Sequence, residues 1–596
     1  MLENKTIQEL VRKQEQDYIS GTPVHISKYV DFDMHENLSK IDAYLNSKHI
    51  SGDQDSQGRD KPFFNIVTAA VNIWYRATDI DRKNIRIKAD TETNIFPAFV
   101  ATQKLNAWMK KARFGVFLNK WGRTLAINGS AVTKFVEQDG ELVATVVPWN
   151  RLIVDPVAFE KAPVIEKLYM TKSELKNRKG YDKVMVENLL GAISIRETLD
   201  KQDKDQKDDY IELYEVHGML PLSYLTGKEE DEEEFVQQMH IVSFIESKEK
   251  GDYDDFTIYA GREKNPYMLT HLIEEEGRTQ AIGAIEHLFE AQWMQNHTVK
   301  SIKDQLDLAS KLIFQTSDGN FAGQNALYAI ETGDIIVHKP NEPITQLANS
   351  SHDITALQNF GQQWNTLAKE ITSTPDAISG GTMPSGTAYR QVAILNQESH
   401  SLFELMTENK GLAIEDMMRG HIIPFLKTKL DTTDEIVAVL DTQNISQVDS
   451  KHVKYKALKS LKNKIKESLL KGEVPAGLTL EEEMMGVEAQ SGDTRFFIPS
   501  EEPDVTWKDV FEDLEWEVDV EVTSENTDKE ATLTTLSTVL QQITSNPAIL
   551  QDPNGKMLFN AILEETGRIS PIQLSQAQST PQALGQPEAQ APQFTP

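Results

Sequence analysis

Apolar residues recur with helical spacing along several long stretches of the chain. Residues 63–80, FFNIVTAAVNIWYRATDI, predict one helix, and residues 95–129 predict further helical structure. A third helical passage starts near Gly277 and runs towards Ser317, with apolar positions forming a narrow seam. Residues 352–372 and 387–411 show the same periodicity. Long helices therefore dominate the predicted secondary structure.

Alternating apolar and polar residues interrupt this helical pattern and predict strands. Residues 130–148 alternate around Asp139-Gly140, a dipeptide typical of tight hairpins. Three further runs, at 210–220, 235–247 and 254–261, predict strands of an antiparallel sheet. The acidic run GKEEDEEE between the first two is better explained as a solvated hairpin tip than as a metal or partner site. The sequence thus predicts a mainly helical α+β protein.

A segment rich in glycine and proline separates two of the predicted helices. Residues 373–386, STPDAISGGTMPSG, contain two prolines and three glycines. These residue types disfavour both helix and strand, so the segment is predicted to be a loop. It is longer than the usual connection between packed helices, which indicates a functional role.

The two ends of the chain and one basic stretch differ from the rest in composition. Residues 1–60 are polar, and residues 570–596 are rich in Gln, Pro, Ala and Ser, which predicts a disordered tail. Residues 451–471 form a basic amphipathic helix in an acidic protein. That helix fits a solvated surface, a patch facing nucleic acid or a membrane-surface helix, and the sequence leaves the three open.

Composition narrows the classes of function. The 596 residues carry a formal charge of -31, which argues against a broad surface that grips nucleic acid, because phosphate binding needs clustered Lys and Arg. The chain has no cysteine, which excludes disulfides, thiolate metal sites and cysteine nucleophiles. No apolar run is long enough to span a membrane, and the start of the chain does not have the pattern of a signal peptide.

Candidate chemistry in the sequence is weak. Gly381 and Gly386 have the spacing of a phosphate-binding loop, but Thr387 and Ala388 stand where that loop needs Lys and Ser or Thr. Asp53, Asp55 and Gly58 resemble the start of a calcium loop whose last ligand is missing. An exposed polar segment explains Asp31, Asp33, His35 and Glu36 better than a metal site does. We therefore expect no enzymatic activity, no cofactor and no metal.

Three stretches and their order along the chain resemble the portal protein of tailed bacteriophages, also called the head–tail connector. KPFFNIVTAAVNIWYRAT is similar to an early helix of the portal wing, and WGRTLAINGSAVTKFVEQDGELVATVVPWNRLIVDP is similar to its helix–hairpin unit. GGTMPSGTAYRQVAILNQES resembles the tunnel loop that leads into the channel helix. The resemblance covers most of residues 60–430 and is loose beyond them.

The resemblance implies a portal-like division of the chain into an α/β wing, a two-helix stem, a small α/β clip, a tunnel loop with a long channel helix, and a helical crown. The implied parts are a polar N-terminal segment at 1–60, a wing at 61–276 with its C-terminal part at 431–526, stem helices at 277–313 and 352–372, a clip at 314–351, a tunnel loop at 373–386, a channel helix at 387–430, crown helices at 527–569 and the tail at 570–596.

The resemblance also implies a function. Portals form a dodecameric ring at one capsid vertex of the virion, pass double-stranded DNA during packaging and ejection, and dock terminase and then adaptor or tail proteins. The implied partners are therefore copies of the chain, DNA, the major capsid protein, terminase and tail proteins, with assembly in the host cytoplasm and no membrane. The alternatives are another virion ring or internal core protein, or a terminase-like ATPase.

Three sets of residues follow as candidates. Residues 352–386 are nearly uncharged, which suits a channel that DNA slides through, with Arg390 as the nearest cation after the loop. The lysines of the first predicted stem helix either contact DNA or pair with Asp304 and Asp307. The apolar seam of that helix packs either between copies of the chain or inside one copy. The sets are the tunnel loop (Thr374, Pro375, Asp376, Ser379, Gly380, Gly381, Thr382, Met383, Pro384, Ser385, Gly386 and Arg390), the DNA-contact candidates (Lys300, Lys303 and Lys311) and the seam (Ile282, Ile285, Phe289, Val299, Ile302 and Leu306).

Overall fold

The computed structural model of the chain is a mixed α+β protein, as the sequence predicts. It describes residues 6–21, 24–27, 30–56, 58–82, 85–87, 95–138, 140–199, 210–246, 253–310, 314–315, 317, 339–342, 345–346, 354–374, 389–430, 436–439, 453, 456–458, 460–462, 464–465, 480, 483–486, 494–497, 507–511 and 518–520.

Helices and strands alternate irregularly along the described residues. The helices are α1 (Ile7–Ser20), α2 (Met34–Leu45), α3 (Val67–Ala77), α4 (Ile95–Lys111), α5 (Phe114–Asn128), α6 (Lys172–Asn177), α7 (Lys183–Leu199), α8 (Ser223–Thr226), α9 (Phe289–Ala309), α10 (Ile354–Ile371), α11 (Tyr389–Met417), α12 (Ile423–Thr428) and α13 (Trp507–Val510). The strands are β1 (Val24–Ser27), β2 (Val30–Phe32), β3 (Ile85–Ile87), β4 (Ser130–Gln138), β5 (Glu141–Val147), β6 (Leu152–Ile153), β7 (Val164–Thr171), β8 (Tyr210–Pro221), β9 (Phe235–Glu246), β10 (Tyr253–Gly261), β11 (Tyr267–His271), β12 (Phe314–Gln315), β13 (Thr345–Gln346), β14 (Ile436–Val439), β15 (Thr494–Phe497) and β16 (Val518–Val520).

The chain divides into two compact units. The first contains Met1–Asp79 and Phe114–Ala413, and the second contains Ile80–Arg113 and Ile414–Pro596. The first unit holds a five-stranded and a three-stranded antiparallel sheet, with strand orders β10-β9-β8-β7-β6 and β11-β4-β5, and the two-stranded pairs β1-β2 and β12-β13. The predicted hairpin at 130–148 is confirmed as β4 and β5, with Gly140 at a φ of 77° in the left-handed region. The three predicted strands at 210–261 are confirmed as β8, β9 and β10.

Helices cover both faces of the five-stranded sheet. Helix α1 lies on one face, where Leu10 and Val11 share a buried cluster with Val216 and Val242. On the other face, α7 contributes a second buried cluster that includes Leu189, Leu213 and Ile241. Residues 1–60 are therefore more than a polar segment, because they contain α1 and α2 with buried apolar faces. The apolar positions of α1 are few, so the surrounding polar residues conceal them in the sequence.

The first stem helix starts later than the seam predicts. The predicted helix begins near Gly277, but α9 begins at Phe289, after a short 3-10 turn at Glu286–Leu288. Two backbone amides before α9 do not form helical hydrogen bonds but donate to the end of α5 and the start of β4. The amide of Ala281 donates to Ser130 Oγ at 2.7 Å, and the amide of Ala284 donates to the Ala126 carbonyl at 3.0 Å. A Cβ at Gly283 would lie 2.2 Å from the Ile127 oxygen, so the close approach requires glycine there.

The second unit combines short strand pairs with α4. Strand β3 pairs with β16 and β14 pairs with β15, both antiparallel. Leu105 and Met109 of α4 are fully buried, as is Trp507 of α13. A π-helical turn at Met418–Ile422 joins α11 to α12, so the predicted channel helix continues to Thr428.

Several predicted parts lie largely or wholly outside the described residues. Of the clip, the structure describes a two-stranded ladder between β12 and β13 and the residues at 339–342. The tunnel loop from Pro375, the crown at 527–569 and the tail at 570–596 lie outside it, and the basic stretch 451–471 is described only in part. Among the helices that the structure describes, none combines the length and apolar character needed to cross a membrane.

Candidate functional site

The two predicted stem helices pack against each other and form the first part of the candidate site. Helix α10 agrees closely with the predicted range 352–372. Gly361 and Ala368 are its buried residues and lie seven positions apart on one face. A Cβ at Gly361 would meet Thr298 Cγ2 at 3.4 Å and Gln295 Oε1 at 3.5 Å, so α9 approaches α10 closely at this point. The small residues of α10 thus set the line of contact between the helices.

A second apolar face of α10 remains exposed. Phe360, Trp364, Leu367 and Ile371, here called the apolar stripe, are spaced i, i+4, i+7 and i+11 and lie along one side of the helix. Phe360 is 40% exposed, Leu367 44% and Ile371 51%. Trp364 is half-buried and meets Phe360 with ring centroids 6.3 Å apart. Contiguous exposed apolar side chains are typical of interaction surfaces.

The end of α10 has a defined cap that fixes how the chain leaves the helix. Ser373 has a φ of 52°, in the left-handed region. Its amide donates to the Glu370 carbonyl at 3.1 Å, and the amide of Thr374 donates to the Lys369 carbonyl at 2.8 Å. These two bonds form a Schellman motif, which satisfies carbonyls that a helix end leaves without partners.

Buried hydrogen bonds attach this cap to the body of the first unit. The indole Nε1 of Trp74 in α3 donates to the Thr372 carbonyl at 2.9 Å. The hydroxyls of Thr372 and Thr374 are 2.8 Å apart, and Thr374 is only 3% exposed. Thr374 therefore lies at the anchored start of the predicted tunnel loop rather than on its free surface. Residues 375–386 of that loop lie outside the described residues, and Arg390 lies in α11.

The predicted DNA-contact lysines that the structure describes both bond to oxygens of the same chain. Lys300 Nζ lies 2.8 Å from Asp304 Oδ2, which is the helical pairing considered as the alternative to DNA contact. Lys303 Nζ donates to the Asp60 carbonyl at 3.1 Å instead of pairing with Asp307. Exposed contacts of this kind contribute little free energy, so they do not prevent these lysines from contacting DNA instead. DNA contact by Lys300 and Lys303 therefore stays a prediction. Lys311 lies outside the described residues.

The predicted apolar seam divides into buried and exposed parts. Ile285 precedes α9 and is fully buried inside the chain, and Ile282 is half-buried in the same non-helical segment. Phe289 packs edge-on against Tyr44 with centroids 5.7 Å apart. The first part of the seam therefore packs within the chain, because Ile285 is fully buried and Phe289 contacts Tyr44. In α9, Val299 and Ile302 are half-buried, and Leu306 is 51% exposed.

Sequence reasoning missed a buried ionic cluster where the two sheets of the first unit meet. Lys134 of β4 lies 2.7 Å from Glu166 Oε2 and 2.8 Å from Glu215 Oε2, which belong to β7 and β8. The hydroxyl of Tyr267 donates to Glu166 Oε2 at 2.6 Å, and His217 Nε2 lies 2.8 Å from Glu215 Oε1. The five residues lie on the inward faces of their strands. The alternating pattern in the sequence shows which face a residue occupies, but it does not show which residues of different strands contact each other.

Burial and pairing shift several pKa values in and near this cluster. Burial acts to raise the pKa of Glu215, but the hydrogen bond with His217 and the charge of Lys134 outweigh it and hold that pKa at about 2. Burial, with the charges of Glu215 and Glu166, raises the pKa of Tyr267 well above its usual value. Burial lowers the pKa of His240 to about 4. The low pKa of Glu215 keeps its carboxylate charged near neutral pH.

Neither a search for metal-ligand clusters nor comparison with known proteins assigns a function to the chain. Among the residues that the structure describes, no three His, Asp or Glu side chains come together as metal ligands would. Asp33, one of the sequence candidates, instead caps α2 by accepting from the Glu36 amide at 2.9 Å. Comparison of the chain with protein-family models and with curated proteins gave no match.

Proposed function

We propose that this chain is the subunit of a portal-like ring that conducts DNA at a capsid vertex of a tailed bacteriophage and docks terminase and later tail proteins. The observation that carries the proposal is the apolar stripe, which is exposed on a helix that already packs against α9 on another face. A surface of this kind suits contact with another copy of the chain, because a closed ring buries one such face in every subunit.

The anchored cap of α10 supports the channel part of the proposal. The glycine- and proline-rich segment starts from Thr374, whose position is fixed by Trp74 and by the Schellman motif. A loop with a fixed origin in every subunit would project to the same place in each copy and so line a shared opening. The few charges of residues 352–386 would give passing DNA few fixed phosphate contacts.

Imaging the purified full-length chain end-on, together with native mass measurement, tests ring formation. We expect a closed ring with a central opening for the natural chain. Leu367→Asp places a charge on the apolar stripe and should lower the ring fraction without changing the melting temperature, because Leu367 is exposed in the single chain. Thr366→Asp is the matched control, because it adds the same charge on the polar side of α10.

Two results would contradict the proposal. A natural chain that stays monomeric at high concentration would leave the apolar stripe without a copy to bind. Sustained ATP hydrolysis by the purified chain would favour the terminase-like alternative.

Deletion of residues 376–385 separates the channel role from ring assembly. We expect the shortened chain to form rings while the amount of packaged DNA falls.

A further inference from the structure

A cleft of about 810 Å³ opens beside the C-terminal end of α1 and the N-terminal end of α2. Its remaining wall is formed by residues 153–163, between β6 and β7. Phe32, Ile153 and Val154 line it and are almost fully buried, so this part of the cleft is apolar. Its volume lies in the range of about 300–1,000 Å³ that is typical of ligand pockets. The cleft is separate from the α9–α10 surface.

The polar groups of this cleft are mainly hydrogen-bond acceptors. The carboxylates of Asp17 and Asp33 line it, and the lining residues include no Lys or Arg. Asp155 Oδ1 is already engaged by the amides of Val157 and Ala158, both at 2.8 Å. Asp33 Oδ1 is likewise engaged by the Glu36 amide at 2.9 Å, so a ligand would meet the second oxygen of that carboxylate. A ligand that fits this set must therefore donate hydrogen bonds and carry positive charge.

One wall of the cleft is aromatic. Tyr18 and His35 both line it, and their rings meet edge to face with centroids 5.3 Å apart. Burial, followed by the charge of Asp33, raises the pKa of Tyr18, so its ring remains a neutral phenol. A planar cation is attracted to an aromatic face and can bond to two carboxylates at once, whereas an ammonium has no flat surface to stack.

We propose that the cleft binds an arginine side chain presented by a partner protein, within a segment whose neighbouring residues are apolar. The guanidinium would bond to Asp17 and to the second carboxylate oxygen of Asp33, and it would lie against Tyr18. The aliphatic part of the arginine and its apolar neighbours would cover the side of the cleft that Ile153 and Val154 form. The ring of Phe32 is already covered by the Arg278 guanidinium, 3.8 Å from its centroid. Charge complementarity argues for this occupant, and the inference does not depend on ring formation.

The test uses the full-length chain and a fluorescent peptide, acetyl-Leu-Arg-Leu-amide, in an anisotropy titration. The same peptide with citrulline in place of arginine is the matched probe, because citrulline keeps the shape but loses the charge and has a carbonyl oxygen in place of one NH2 donor. We expect the citrulline peptide to bind at least about tenfold more weakly, since hydrogen bonds to charged groups are worth roughly 1.5–3 kcal/mol. Added salt should weaken only the arginine peptide.

Asp17→Asn and Asp33→Asn test the contacts from the protein side. Asparagine is also a good helix cap, so Asp33→Asn keeps α2 intact while removing a negative charge. Each variant should lower arginine-peptide affinity and leave citrulline-peptide affinity unchanged. Glu36→Gln is the control, because Glu36 lies near the cleft on α2 without lining it and pairs with Lys40 at 2.7 Å.

Four results would overturn the inference. The first is no detectable peptide binding, and the second is equal affinity for the two peptides. The third is unchanged affinity in both aspartate variants. The fourth is self-association of the natural chain that excess peptide reverses, which would show that a second copy, rather than a partner protein, occupies the cleft.

Discussion

Trp74 and Thr372 lie 298 positions apart in sequence, and the indole Nε1 of Trp74 donates a buried hydrogen bond of 2.9 Å to the Thr372 carbonyl. The bond connects α3 to the last turn of α10. A carbonyl at a helix end that is buried needs a partner, because leaving it unsatisfied costs the free energy of its desolvation. Trp74 therefore determines where α10 ends as well as filling space in the core.

Trp74→Phe should lower the free energy of unfolding by about 1–3 kcal/mol, because it leaves the Thr372 carbonyl buried without its donor. Urea denaturation measures this loss, and hydrogen exchange at the Thr374 amide should become faster. Trp293→Phe is the control, because Trp293 is 53% exposed. Its effect should stay within about 0.5 kcal/mol, as for most surface substitutions. Equal losses in the two variants would show that the hydrogen bond is unimportant.

The two ends of the predicted seam should respond differently to truncation. Ile285 is fully buried, so Ile285→Ala should lower the free energy of unfolding of the single chain by about 2–5 kcal/mol. Leu306 is 51% exposed, so Leu306→Ala should change it by less than about 0.5 kcal/mol. Chemical denaturation at low protein concentration measures both losses. A large effect of Leu306→Ala under those conditions would place its contacts inside the single chain.

Lys134→Met should break the ionic cluster between the sheets. Removing the cation leaves Glu166 and Glu215 buried without their shared partner, which costs about 3–5 kcal/mol. Thermal unfolding followed by circular dichroism measures the loss. Lys120→Met on the exposed side of α5 is the matched control and should have little effect. If the two variants unfold at the same temperature, the cluster does not hold the sheets together.

Lys410 should make stability rise at alkaline pH. Its ammonium is buried, donates to the Thr78 carbonyl and lies 5.5 Å from the Trp121 ring centroid. Burial lowers its pKa to about 8, and the charge of Asp79 offsets part of that shift. Between pH 8 and the ordinary lysine pKa of about 10.4, the unfolded chain binds a proton that the folded chain lacks. Stability therefore increases with pH across this window.

The measurement for Lys410 is the free energy of unfolding at several pH values across that window, for the natural chain and for Lys410→Met. The natural chain should gain up to about 3 kcal/mol more than the variant as pH rises. Comparing the two chains removes the contributions of other titrating groups, which are common to both. Parallel pH profiles would mean that Lys410 titrates normally in the folded chain.

Local patterns predicted much of the secondary structure. The Asp139-Gly140 dipeptide predicts the β4–β5 hairpin because a glycine at position 140 adopts a left-handed φ that other residues avoid. The helical spacing at 352–372 predicts α10 nearly to its ends. The start of α9 could not be predicted in this way. The amides of Ala281 and Ala284 bond to β4 and α5 instead of taking part in the first turns of a helix, and that competition is tertiary.

The candidate site could be predicted only in part for a related reason. The apolar spacing of Phe360, Trp364, Leu367 and Ile371 is visible in the sequence, but it does not reveal that α9 packs against another face of α10 and leaves these side chains exposed. The ionic cluster is harder still. Lys134 and Glu215 are 81 positions apart, and only the packing of two sheets brings them together.

Exposure of the apolar stripe also bears on how the chain behaves before any partner binds it. The same four side chains would govern both ordered association and uncontrolled aggregation, because apolar surfaces do not discriminate among orientations as hydrogen bonds do. Rapid synthesis at high temperature should therefore give insoluble material. Slow synthesis in the cold should raise the recoverable yield, since apolar association weakens on cooling.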